Sequence, residues 1–294
     1  MGWLGLGAMG TPMARRLANT GKEVVAFDPT PERATGLAPS VRSAASPAAA
    51  ADGQDVLLVM VASPAQAEVA IFGPDGAVRG LRPGCRVVLL STLGPAWVRS
   101  LPPRLPTGVR VVDAPVSGGV TRATEGSLLV LAAAAEPADT ELLSALGEVV
   151  DVGTQVGQGQ AMKMVNQVLC GVHIAAAAEA LALAEAMGID PALAWATVRK
   201  GAAASFMLDD RGRRMVAPLD GPVRSAVSLF VKDLGLVLDE ARDAGLPTPL
   251  SAAAAGLFKG AADAGRATLD DSELFFYLRE QRRTPGGSSD RPGV

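Results

Sequence analysis

Lys163 lies in Gly157-Gln158-Gly159-Gln160-Ala161-Met162-Lys163-Met164-Val165-Asn166-Gln167, at the head of a long and otherwise apolar run. A cation in such surroundings costs free energy unless it is paired or put to use. An amine that sheds its proton is a general base. A free lysine, with a pKa near ~10.4, must be brought to about 7–8 by burial and neighbours to do that work. Asn166 and Gln167 follow three and four residues later, so both share a helix face with the amine. The chain has one histidine, His173. It lies roughly 80° around the helix from Lys163 at 3.6 residues per turn. No carboxylate stands near it in sequence, so it reads as a core residue and a histidine–carboxylate base is disfavoured.

Near the start of the chain, Gly5-Leu6-Gly7-Ala8-Met9-Gly10 fits G-x-G-x-x-G. The string follows an apolar run from Gly2 and opens a helical pattern reaching about Asn19. That context is what gives it meaning as a dinucleotide site. The first glycine permits a tight turn, the second lets backbone approach a pyrophosphate, and the third brings helix and strand together. The anion then meets free N–H groups at a helix N-terminus. Asp28 ends the next apolar run. A carboxylate there accepts hydrogen bonds from ribose hydroxyls and repels a 2′-phosphate, which favours NAD over NADP. Arg33, close by, keeps NADP as the lesser alternative.

Two more constellations share the chain: Asp113-Ala114-Pro115-Val116-Ser117-Gly118-Gly119 and Lys232-Asp233-Leu234. With the fingerprint and the Lys163 segment they resemble the β-hydroxyacid dehydrogenase family, relatives of 3-hydroxyisobutyrate and 6-phosphogluconate dehydrogenases. The likeness covers essentially the whole chain before its tail. Gly171-Val172-His173-Ile174 and Ser225-Ala226-Val227 through Gly235 are similar to the threonate-oxidising branch of that family.

The resemblance implies roles. Lys163 takes the hydroxyl proton while hydride leaves for the nicotinamide, with Lys232 as a second cation near the cofactor. Ser117, Gly118 and Gly119 offer a hydroxyl and unshielded N–H groups to a substrate carboxylate. An amide on the turn after the lysine touches the substrate. Many members carry asparagine where this chain has Gln167, so both Asn166 and Gln167 are candidates. Ser91-Thr92 resembles a motif near the nicotinamide ribose, with Leu89 where an acidic residue is common. Ser205 to Arg211 departs from the branch pattern, which has Trp and Asn there. The implied reaction is NAD-dependent oxidation of a small hydroxy acid, such as a four-carbon aldonate oxidised at C2. Reduction of an oxo acid or semialdehyde uses the same residues. Imine reductases share the architecture but generally lack the lysine. A second class is a cofactor-binding relative without turnover, against which Lys163 and Ser117-Gly118-Gly119 speak.

The elements that must position these residues follow from periodicity. Gly2–Leu6, Glu23–Phe27, Val56–Val61, Arg86–Leu90, Val109–Asp113, Leu128–Leu131 and Val149–Val152 read as strands. Their alternation with helical patterns predicts an α/β Rossmann doubly wound sheet over residues 1–157. A helix from about Gln160 to Met187, apolar nearly all round and so expected to be buried, joins it to an all-α C-terminal domain over 158–283. That domain is read as carrying substrate binding and dimerisation, with a cleft between the domains. Helices are expected at Pro191–Lys200, Ser225–Ala244, Pro249–Ala264 and Asp271–Gln281. Residues 284–294 read as a disordered tail.

With 294 residues, 49% of them hydrophobic but only 4% aromatic, the chain suits two domains with Ala, Leu and Val cores. A net charge of -3 gives no reason to expect nucleic-acid or membrane partners. Cys85, Cys170 and His173 do not make a disulfide framework or a metal set. No basic and apolar leader is visible, and a reducing cytoplasm is expected. The long apolar helix and Ala-rich second half lead to the expectation of a homodimer or homotetramer.

Overall fold

The computed structural model describes residues 1–37, 39–217 and 223–282. The tail expected at 284–294 lies outside the described residues. By contact the chain forms two units, 1–169 with 232–249, and 170–231 with 250–294.

The first unit holds one sheet. Its strands are β1 (Gly2–Leu4), β2 (Val24–Phe27), β3 (Val41–Ser43), β4 (Val56–Val59), β5 (Arg86–Leu89), β6 (Arg110–Asp113), β7 (Val116–Ser117), β8 (Leu128–Ala133) and β9 (Gly147–Gly153). The order is β3-β2-β1-β4-β5-β6-β8-β7, with β9 beside β8. β1 to β6 are parallel throughout. This is the doubly wound order 3-2-1-4-5-6, whose direction of winding reverses between β1 and β4. β8 runs antiparallel to β6 and β7.

Successive strand residues feed opposite faces. Trp3, Leu58, Val88 and Val112 enter one core, while Leu4, Leu57, Val59, Val87, Leu89 and Val111 enter the other. Both faces are covered, which is why these strands read as unbroken apolar runs in the sequence. Ser46 and Ser63 cap helices that begin with proline, Pro47–Ala51 and Pro64–Phe72.

β1 ends at Leu4 rather than Leu6, because Gly5 turns out of the strand with φ +92°. β3 and β7 are additional to the expected strands; at three and two residues they are too short to show alternation. The helix Phe206–Val216 is also additional to the expected helices. Its stability comes from tertiary ion pairs: Arg214 is buried and doubly bonded to Asp270, and it also pairs with Asp210. The second unit is helical, with Pro191–Val198, Phe206–Val216 and Glu273–Glu280 and a stacked pair, Phe230 and Phe258, at 5.0 Å.

The long helix is Gln158–Ala186. Its texture change falls near residue 157, but contact assigns its first three turns to the first unit, because polar side chains there are bonded to the β5 and β6 ends. The expectation of burial all round is corrected. Met162, Val165, Leu169 and Leu183 are 44%, 59%, 53% and 58% exposed. At 3.6 residues per turn these positions lie on one stripe. The opposite side buries Gln160, Lys163, Gln167, Ile174 and Leu181. By length and mean hydropathy alone the helix would also suit a membrane span, a test that core helices pass too.

Candidate active site

The fingerprint loop gives each glycine a distinct reason. A Cβ on Gly5 would sit 2.3 Å from the Met60 carbonyl oxygen, and one on Gly10 would sit 2.1 Å from that of Gly5. Neither position tolerates a side chain. A Cβ on Gly7 would meet no protein atom within 4 Å. The second glycine is therefore required by nothing in the protein itself, and the bare backbone there faces open space. Gly7 borders two hollows, of about 750 and 700 Å3. The first is also lined by Gly5, Asp28 and Arg33, the second by Leu6 and Ala8. Ala8 is exposed, and Met9 packs on the sheet core. The helix Gly10–Ala18 has no side-chain N-cap and no acidic residue in its first turn, so its N-terminal dipole is uncompensated by the chain.

Asp28, at the end of β2, is 6% exposed. One carboxylate oxygen accepts the Leu6 amide at 2.7 Å, and the other accepts the Thr30 amide at 2.9 Å. Arg33, half exposed, pairs with it at 3.2 Å. Asp28 thus ties the fingerprint turn to β2, a role additional to any ribose contact.

The chemical residues meet in the first unit. Lys163 is buried, 6% exposed. Ser117 donates through Oγ to Asn166 Oδ1 at 3.3 Å. Asn166 Nδ2 donates to Gln167 Oε1 at 2.8 Å, and Gln167 Nε2 donates to Asp233. The Lys232 ammonium lies 2.6 Å from the Asp233 carboxylate and donates to the Thr92 carbonyl at 3.0 Å. A continuous polar chain therefore runs from the Ser117 turn through the helix to the β5 loop. Lys232 is charge-paired within it and is not a bare neighbouring cation.

The two candidate amides are separated by burial. Both amides are engaged, but Gln167 is 5% exposed, whereas Asn166 is half-buried beside Ser117. Gly118 and Gly119 have φ of +141° and +75°, the region that favours glycine. A Cβ on Gly119 would meet no protein atom within 4 Å. The hydroxyl of Ser91, which is 1% exposed, is spent inside the sheet: it accepts the Val61 amide at 2.7 Å and donates to Val59 at 3.4 Å. Thr92, half-buried, is the part of that pair with an open side. His173 is only half-buried.

Sequence reasoning missed Asp113 and Gln160, both fully buried. Asp113 accepts the Gly157 amide at 2.9 Å and the Gln160 amide at 3.0 Å, which anchors the start of the long helix. Burial pushes the Asp113 carboxyl above its ordinary range, while its bonds from Gln160 and Gly157 act in the opposite direction. A Cβ on Gly159 would lie 2.6 Å from the Asp113 carbonyl oxygen. The Gly-x-Gly before Lys163 is therefore a packing requirement. The visible signal was a polar Gln heading an apolar helix.

The chain is similar to known proteins along most of its length. Residues 1–188 match the family model for the NAD binding domain of 6-phosphogluconate dehydrogenase. Residues 157–278 match the one for NAD-binding of NADP-dependent 3-hydroxyisobutyrate dehydrogenase. The L-threonate dehydrogenase of Cupriavidus necator is 40% identical over 280 residues, 93% of this chain and 94% of that protein. The chain belongs to the β-hydroxyacid dehydrogenase family.

Other members of the family show the same breadth of match. The 2-hydroxy-3-oxopropionate reductase of Escherichia coli is 32% identical, over 93% of this chain and 95% of that protein. A crystal structure of 3-hydroxyisobutyrate dehydrogenase from Salmonella typhimurium superposes with a TM-score of 0.85 at 35% identity, covering 94% of this chain and 98% of that one. The protein is thus a hydroxyacid dehydrogenase, an oxidoreductase acting on CH–OH groups with an NAD(P)-binding Rossmann domain and a helical C-terminal domain.

Proposed function

We propose that this dehydrogenase oxidises a small polyhydroxy acid of the L-threonate type at C2, with NAD as cofactor and Lys163 as general base. The observation that carries the reading is the burial of Lys163 one helical turn before the Ser117–Asn166 hydrogen bond. Burial strips hydration from an ammonium, the condition under which lysine works as a base. Threonate is supported by the 40% identical relative of that name. NAD, with NADP the lesser alternative, is supported by the Asp28 carboxylate and by the engagement of Arg33 with it.

Bound NAD would supply the hydride acceptor. The chain's own residues do the rest. The Gly5–Gly10 turn, Asp28, Thr92 and Lys232 hold the dinucleotide. Ser117 and the Gly118 and Gly119 amides receive the substrate carboxylate, and Asn166 orients it. Lys163 takes the proton from the C2 hydroxyl. Run backwards, Lys163 returns that proton as a general acid; the reductase named among the relatives favours keeping this direction as the second reading. Residues 158–283 would supply substrate binding and the contacts of a homodimer or homotetramer, in the cytoplasm.

The test is a panel of hydroxy acids headed by L-threonate, followed by absorbance of reduced nicotinamide with NAD and NADP, with Lys163→Ala as control. Measured NAD binding without turnover on any member would favour a cofactor-binding relative instead.

A further inference from the structure

Gln160 is fully buried, and its amide is fully subscribed. Oε1 accepts from the Leu93 amide at 2.9 Å and the Gly94 amide at 3.2 Å; Nε2 donates to the Ser91 carbonyl at 3.0 Å and to Asp113 Oδ1 at 3.1 Å. Two acceptor sites and two N–H groups are all that a glutamine amide has. They bind the loop after β5, which also carries Thr92 and through it Lys232, to the helix that carries Lys163. Gln160 and Lys163 are three residues apart and share a helix face. The start of the helix does not depend on this side chain, because Asp113 also accepts the backbone amides of Gly157 and Gln160.

We propose that Gln160 is a positioning residue, one that holds the Lys163 amine in register with the 91–94 loop for proton transfer. The proposal rests on the reading of Lys163 as general base. Without the amide, the Leu93 and Gly94 N–H groups and the Ser91 carbonyl lose their partner, and loop and helix are free to slip. Displacement by about 1 Å costs on the order of 100-fold in rate.

The experiment uses Gln160→Leu and the isosteric Gln160→Glu, assayed with L-threonate and NAD beside Lys163→Ala. Expected is a fall in kcat of about 100-fold, with the KM for L-threonate little changed and the melting temperature lowered by the unpaired buried groups. A protonated glutamic acid regains one donor toward the Ser91 carbonyl, so the ratio of Gln160→Glu to wild-type kcat should rise as pH falls. A substrate-free readout accompanies this: acylation of Lys163 in the protein alone, followed by mass spectrometry of its peptide, should be faster in both Gln160 variants. Wild-type kcat and unchanged Lys163 acylation in both, beside an inactive Lys163→Ala, overturn this inference alone. Loss of NAD binding with a pH-independent ratio overturns it in favour of a structural role. Full activity of Lys163→Ala overturns the lysine reading and this inference with it.

Discussion

The carboxylate of Asp28 accepts the backbone N–H of Leu6 across 22 residues, at 2.7 Å. The residue proposed to select between NAD and NADP also closes the fingerprint turn. Asp28→Ala should therefore cut the ratio of kcat/KM for NAD over NADP by roughly tenfold or more, the worth of one hydrogen bond to a charged group. Equal or better turnover of the unaltered enzyme with NADP would remove the NAD assignment.

The fingerprint glycines should separate stability from binding. Gly7→Ala adds a methyl group where no protein atom lies within 4 Å, so melting should change little while NAD affinity falls. Gly10→Ala drives a Cβ to 2.1 Å from the Gly5 carbonyl oxygen and should lower the melting temperature before any ligand is added. Calorimetric titration of Gly7→Ala with NAD giving the unaltered affinity would show that the pyrophosphate does not approach there.

Lys163→Ala should reduce kcat by about 10²–10⁴-fold, the usual contribution of a general base, with NAD binding retained. The limb of the pH–rate profile that reports the deprotonated base should vanish with it. A profile unchanged in shape would place the base elsewhere.

Asp271 is fully buried in the helical unit, and burial lifts its carboxyl from 3.8 to about 6, despite opposing attraction from Arg211 and Arg214. A raised folded-state pKa means that the folded protein holds this proton more tightly than the unfolded chain. Its contribution to stability is complete below pH 3.8 and is lost as pH rises through about 6. A shift of this size corresponds to up to about 3 kcal/mol. The melting temperature of the unaltered protein should rise relative to that of Asp271→Asn as pH falls from 8 toward 5. A pH-independent difference between the two would contradict the assignment.

The exposed apolar stripe of Met162, Val165, Leu169 and Leu183 on one helix motivates the expectation of a homo-oligomer, since such patches usually meet a partner. Sedimentation at micromolar concentration should show a dimer or tetramer. A monomer alone would contradict it.

Features written in short stretches of chain were legible without coordinates. The glycine turn after a strand, the apolar runs of a covered parallel sheet, the long helix and the four motifs each depend on neighbours within a few residues, where local sterics and periodicity act. What the chain order hides is contact at long range. Gln160 reaches Leu93 across 67 residues, Gln167 reaches Asp233 across 66, and Arg214 reaches Asp270 across 56. Whether Asn166 or Gln167 is the more deeply buried, whether the Ser91 hydroxyl is spent, and whether a charge-dense run becomes helix were all decided by which buried groups found partners. That depends on desolvation and hydrogen bonding in the packed state, and no local pattern of residue types encodes it.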